Sequence, residues 1–158
     1  MKLVDFLHAD SIVPDLKAVN KKDAAKELVE LLGERGRVTR TQTKGIVDAL
    51  MAREKLGSTG IGRGLAVPHA THPGAKALVG ALGLSHKGID FQALDGRPVF
   101  LVFLLLYPPA HTDRLQALKL LSQFVKHNDL CRFLKQAPDA KAAFEVLEEA
   151  DTKLHEVG

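Results

Sequence analysis

Three features of this chain predict an α/β fold: a mixed β-sheet of about five strands flanked by helices on both faces. The longest apolar run, Val99–Tyr107, is short, rich in β-branched and aromatic residues, and apolar on both faces, the pattern of a central strand covered on both sides. Segments with helical spacing of apolar residues lie both before and after it. Short glycine- and proline-marked breaks separate these segments, with no repeat, linker or low-complexity tract.

The elements follow in order. Residues 4–7 suit a short helical turn, and residues 11–14 and 16–19 read as extended. Asn20 is a good helix cap with Asp23 in the first turn, and Leu28, Val29, Leu31 and Leu32 supply the apolar stripe of a helix that stops near residues 33–36. A second helix spans residues 41–55, with Ile46, Val47, Leu50 and Met51 inward and Gly57 just past its end. It delivers Arg53 in its last turn, beside the glycine-rich stretch that follows. Pro68 fixes its own backbone torsion and pushes Val67 into an extended conformation, so Leu65-Ala66-Val67 reads as a short strand with His69 at its end. Thr71-His72-Pro73-Gly74 is a turn, residues 78–84 a buried strand, and Asp95-Gly96 a turn before the central run. Three helices close the chain, over residues 113–126, 129–136 and 138–150. Leu115, Leu118, Leu121 and Val125 are the expected apolar face of the first, and Ala143, Phe144 and Leu147 of the last.

Composition bounds the function. At 158 residues the chain fits one domain, residues 1–158, and 46% apolar with 26% charged residues is an ordinary soluble balance. A net charge of +3 without a Lys/Arg run or an aromatic stripe argues against nucleic acid. The single cysteine, Cys131, excludes an intrachain disulfide and a thiolate metal cluster, and its Leu130-Cys131-Arg132-Phe133-Leu134 setting fits a small core residue. No signal peptide is apparent, and the longest apolar run is far too short to span a membrane. A cytoplasmic protein without membrane insertion is the expectation.

The chemistry concentrates in residues 57–69, Gly57-Ser58-Thr59-Gly60-Ile61-Gly62-Arg63-Gly64-Leu65-Ala66-Val67-Pro68-His69. Glycines let backbone N–H groups approach an anion closely, and a histidine beside such a loop can take up a phosphoryl group and release it again. The spacing is neither a Walker A loop nor a dinucleotide fingerprint. Ser58 and Thr59 suit either phosphoryl binding or turn stabilisation.

Arg53-Glu54-Lys55-Leu56-Gly57-Ser58-Thr59-Gly60-Ile61-Gly62 followed by Ala66-Val67-Pro68-His69 closely resembles the IIA domains of the bacterial phosphotransferase system. The likeness is to the fructose–mannitol class, most of all to nitrogen-regulatory IIA proteins, and covers roughly residues 3–147. It implies that His69 is phosphorylated at Nε2 by the carrier HPr or a nitrogen-branch homologue, with Nδ1–H held by a carbonyl the sequence does not specify. It implies that Arg53 holds the phosphoryl group, a role suited to a planar, permanently charged guanidinium. Gly57, Ser58, Thr59, Gly60 and Gly62 are the expected phosphate-binding residues. Family members carry a second active-site histidine in a His-Leu-x-x-Leu setting. Aligning Leu115 and Leu118 puts Arg114 at that place, with His111 as the alternative from the preceding loop. An arginine there stabilises phosphate without shuttling a proton, so the pH dependence of transfer should differ from the family's.

The remaining candidates are weaker. His69 and His72 have a metal-pair spacing, but the prolines break the helix that would align them, so neither metal nor cofactor is expected. His8, His86, His127 and His155 lack partners at ligand spacing. Asp90 and Asp95 read as turn residues, and Glu54 either pairs with neighbours of Lys55 or orients Arg53. The partner set comprises an HPr-like donor and either a separate IIB component or a regulatory target. The absence of a fused IIB or IIC segment favours regulation. The alternatives are a fructose-type IIA serving sugar uptake, or a binding module that docks on a kinase or transporter with phosphorylation as a switch.

Overall fold

A computed structural model describes residues 1–110 and 113–156, and its centre is the strand the sequence singled out, β6 (Val99–Tyr107). Along β6 the side chains alternate between two cores. Leu101, Phe103, Leu105 and Tyr107 join one, while Val102, Leu104 and Leu106 join the other. Burial on both faces explains why the run carries no polar alternation.

Strand β5 (Val79–Ile89) pairs antiparallel with β6 on one side and parallel with β1 (Leu7–Val13) beyond. On the other side of β6 lie two short segments in line, β3 (Leu65–Ala66) and β4 (His69–Thr71), both parallel to it. Strand β2 (Gly60–Gly62) pairs antiparallel with β3 at the edge. The sheet is therefore mixed and six-stranded, one strand beyond the expected number of about five. Strands β2 and β4 are both unexpected, while residues 16–19, read as extended, form no strand; β4 arises at Pro68, which has no N–H to give the ladder and separates it from β3. His69 consequently opens β4 rather than ending β3.

Helices α1 (Lys21–Glu34) and α2 (Thr43–Lys55) cover one face. The Asn20 side chain accepts the Asp23 N–H at 2.9 Å, as its cap position predicts. Helices α3 (Arg114–Phe124), α4 (Asn128–Lys135) and α5 (Ala140–Glu156) cover the other face. Cys131 is buried there, as its apolar setting implies.

The apolar face expected for α3 needs correction. Ala117, Leu120, Leu121 and Phe124 are its buried residues, whereas Leu115 is 75% exposed and Leu118 and Val125 only flank the core. Rotation toward this stripe lets Phe124 meet Phe103 edge to face at 5.6 Å. Arg114, exposed and one turn before Ala117, starts the helix.

Candidate functional site

Val67 and Pro68 set the position of His69. The Val67 N–H donates to Thr59 O at 3.0 Å, and Pro68 O accepts the Leu105 N–H at 2.9 Å. The peptide groups before His69 are thus fixed to β6 and to the glycine loop. The half-buried imidazole folds back on this frame, with Nδ1 2.8 Å from Val67 O. A carbonyl oxygen only accepts, so Nδ1 carries a proton, and in the neutral ring the lone pair is on Nε2.

His69 lines a cavity of about 320 Å³ together with Arg53, Arg114, Tyr107, Thr71, Ala70 and Ala49. Arg53 arrives from the last turn of α2, where its Nη1 donates to Gly57 O at 2.8 Å. Arg114 arrives from the first turn of α3. Sheet edge, end of one helix and start of another therefore bring one histidine and two arginines to a single cavity. Nε2 as a nucleophile and two permanent cations suit a phosphoryl group carrying two negative charges. His111, the alternative to Arg114, lies outside the described residues.

The glycine loop is arranged differently from the expected cradle. Gly57, Ser58, Thr59, Gly60 and Gly62 are not among the described residues that line the cavity. The Gly57 N–H donates to Glu54 O at 3.1 Å. The Thr59 N–H donates to Glu54 Oε1 at 3.0 Å, and the Thr59 hydroxyl donates to the same oxygen. The Gly60 N–H donates to Ser58 Oγ at 3.0 Å, while that hydroxyl donates to Phe91 O at 2.7 Å. The Gly57, Thr59 and Gly60 N–H groups are thus paired within the protein, and Thr59 O in turn holds the Val67 N–H. The loop's glycines serve close packing and a tight turn. A Cβ on Gly60 would fall 2.8 Å from that of Ala93, and Gly62, Arg63 and Gly64 all have positive φ.

Asp95 is a turn residue, as read from the sequence, and accepts the Arg97 N–H at 3.0 Å; Asp90 instead forms a parallel bridge with Asn20 at the end of β5, its carboxylate accepting the Gln92 N–H at 2.9 Å. His72 Nδ1 accepts the Gly74 N–H at 2.9 Å, which commits that ring to its own turn. Among the described residues no cluster of three or more His, Cys, Asp or Glu is placed to hold a metal ion, and no helix is long and apolar enough to cross a membrane.

The sequence reading left Glu54 open between two roles and passed over Tyr107 as a site residue. Glu54 neither orients Arg53 nor pairs with the surroundings of Lys55; its buried carboxylate faces Thr59 and Lys21. Tyr107, the chain's one tyrosine, ends an otherwise wholly non-polar run, and its lone hydroxyl was the signal available. Its ring is 1% exposed, and its hydroxyl has no hydrogen-bond partner among the described residues. Burial pushes its ionisation up, and the Arg114 guanidinium pulls partly back. Tyr107→Phe removes an unpaired buried polar atom at nearly constant shape, so it should stabilise the protein by about 1 kcal/mol. Thermal unfolding checks this: a higher Tm is expected, and a lower one would mean the hydroxyl is satisfied.

Residues 5–150 match the model of the family described as the phosphoenolpyruvate-dependent sugar phosphotransferase system, EIIA 2. A nitrogen regulatory protein of Bradyrhizobium diazoefficiens is 36% identical over 148 residues, covering 93% of this chain and 95% of that protein. The fructose-specific EIIA component of Haloferax volcanii is 35% identical over 153 residues, covering 92% and 98%. Among solved structures, the nitrogen regulatory protein IIA-Ntr of Neisseria meningitidis superposes with a TM-score of 0.76 at 32% identity, over 90% of this chain and 97% of that one.

Proposed function

The chain belongs to the EIIA type 2 family of the phosphoenolpyruvate-dependent sugar phosphotransferase system, and from that membership we propose that it is a phosphoryl carrier with His69 as acceptor. The observation that carries this reading is the bond from His69 Nδ1–H to Val67 O inside a cavity shared with Arg53 and Arg114. The donor is the phosphohistidine of an HPr-like carrier. Nε2 of His69 attacks phosphorus, a new P–N bond forms, and the P–N bond to the donor imidazole breaks. The donor ring leaves with its electron pair as a neutral imidazole. No general base is needed, because the attacking nitrogen carries no proton. Val67 O then faces an imidazolium-like N–H and stabilises the positive charge that the new bond places on the ring. The two guanidiniums balance charge on a loose, metaphosphate-like transition state that needs positioning more than covalent help.

A nitrogen-regulatory role is the reading favoured by the Bradyrhizobium and Neisseria relatives. In that role residues 1–158 act in the cytoplasm as one domain, and the phosphorylated and free forms differ in how they engage a regulatory target. The Haloferax relative supports a second reading, delivery to a separate fructose-type IIB component. Incubation with phosphoenolpyruvate, enzyme I and HPr tests the shared step. Uptake of one acid-labile phosphoryl group supports both readings, and no uptake removes both. Onward transfer to a fructose IIB separates them.

Arg114 gives this site a distinctive pH signature. A guanidinium keeps its charge throughout the working range, whereas a histidine there would titrate near ~6.5. Arg114→His is expected to add an ionisation in that range to the pH–rate profile of phosphoryl uptake. A profile identical to the parent's would remove Arg114 from the reaction.

A further inference from the structure

We propose that Glu54 is a positioning residue for His69, acting through Thr59 and Val67; the transfer part of this rests on His69 being the phosphoryl acceptor. Glu54 is 4% exposed, unusual for a carboxylate, and it lies one residue from Arg53 in the last turn of α2. Its Oε1 accepts both the N–H, at 3.0 Å, and the hydroxyl of Thr59. Thr59 O accepts the Val67 N–H at 3.0 Å, and Val67 O accepts the His69 Nδ1–H at 2.8 Å. Each link fixes the residue that makes the next, so an unbroken series of hydrogen bonds joins a buried carboxylate to the acceptor ring.

The other end of the carboxylate is anchored more loosely. Oε2 lies 3.6 Å from Lys21 Nζ, beyond hydrogen-bond reach, and has no hydrogen-bond partner among the described residues. Lys21 Nζ instead donates to Gln92 Oε1 at 2.9 Å. Glu54 therefore has its two strongest contacts with Thr59, and the cation behind it offsets the burial of its charge. Nothing in this arrangement touches the cavity beside His69, so the carboxylate influences the reaction only by where it holds Thr59 and hence Val67 O. If the Val67 carbonyl shifts, Nδ1 loses the acceptor that selects its tautomer, and Nε2 takes up the proton in part of the population. Such a ring cannot attack phosphorus.

Two substitutions separate positioning from simple stability. Glu54→Leu keeps side-chain bulk and removes the acceptor, whereas Glu54→Gln keeps an acceptor oxygen without the charge. The readouts are the His69 tautomer in ¹⁵N-edited imidazole spectra of the unphosphorylated protein, and the rate of phosphoryl uptake from phospho-HPr. In Glu54→Leu the Nε2–H tautomer should grow and the rate fall by about tenfold or more, since small displacements of a reacting group are costly. The phospho-HPr concentration at half-maximal rate should stay unchanged. Glu54→Gln should return most of both. A folded Glu54→Leu protein with the parent's tautomer and rate overturns the proposal. If Glu54→Leu does not fold, Thr59→Val removes the hydroxyl link alone and should shift the tautomer less but in the same direction; an unchanged tautomer there overturns it equally. A tautomer shift in a protein whose parent takes up no phosphoryl group upholds the link from Glu54 to His69 while removing His69 as acceptor.

Discussion

His69→Ala is expected to abolish uptake of acid-labile phosphate from phospho-HPr while leaving the protein folded. Among the described residues that line the cavity, His69 is the only one whose side chain offers a nitrogen lone pair. The structural loss is small. It amounts to one side-chain hydrogen bond to Val67 O, worth about 1 kcal/mol, from a half-buried ring at the sheet edge. The paired measurements are intact mass after incubation with the donor system and thermal unfolding of the same sample. Persistent phosphate on a folded His69→Ala protein sinks the assignment.

Arg53→Ala should have the next largest effect, slowing phosphoryl uptake by about a hundredfold, within the range seen when one preorganised charge donor is removed from a transferring group. Arg53 Nη1 already points to the loop, donating to Gly57 O at 2.8 Å. The side chain is therefore held near the cavity before any phosphoryl group arrives, and less of its conformational freedom remains to be lost on transfer. Because that contact is solvent-exposed, the cost in stability should stay within about 1 kcal/mol. Arg53→Lys should recover only part of the rate, since an ammonium cannot present the planar fork of a guanidinium. Stopped-flow or quench kinetics with phospho-HPr give the comparison. Equal rates for Arg53→Ala and the parent would reduce Arg53 to a surface charge that braces the loop.

Much of the fold could be read from local pattern. The both-faces apolar run became β6, Asn20 became the cap of α1, and the stripe through Ile46, Val47 and Leu50 became the buried side of α2. Each of these signals lies within one segment. Some misses are local, as at residues 16–19, which form no strand, and at β2 inside the glycine stretch, but the larger ones are relations between segments. Leucine spacing alone did not fix the rotation of α3, because Leu115 and Leu121 obey a helical period as well as Ala117 and Phe124 do. The choice was made by Phe103, a strand away in sequence. The broken strand at Pro68 was half legible: proline announced the interruption, but only pairing with β6 shows that the chain resumes the same line at His69.

The site divided in the same way. The Arg53-to-His69 block pointed to phosphoryl chemistry, and both residues do line one cavity. The glycine loop was not legible in the same way, because an amide-rich loop looks the same in sequence whether its N–H groups face a ligand or one another. Glu54 decides that question here by taking the Thr59 N–H, and a buried carboxylate in a stretch as charged as Arg53-Glu54-Lys55 is invisible until α2 is packed. The carbonyl that holds His69 Nδ1 was likewise open until the break at Val67-Pro68 was placed between β3 and β4.

The central claim is that Val67 O fixes the proton on Nδ1 and leaves Nε2 to accept phosphorus. The most direct measurement is ³¹P–¹⁵N correlation in the ¹⁵N-histidine-labelled protein after phosphorylation by phosphoenolpyruvate, enzyme I and HPr. One-bond coupling between phosphorus and Nε2 of His69, with Nδ1 still protonated, is the predicted result. Coupling to Nδ1, or to a nitrogen of any other histidine, would contradict it.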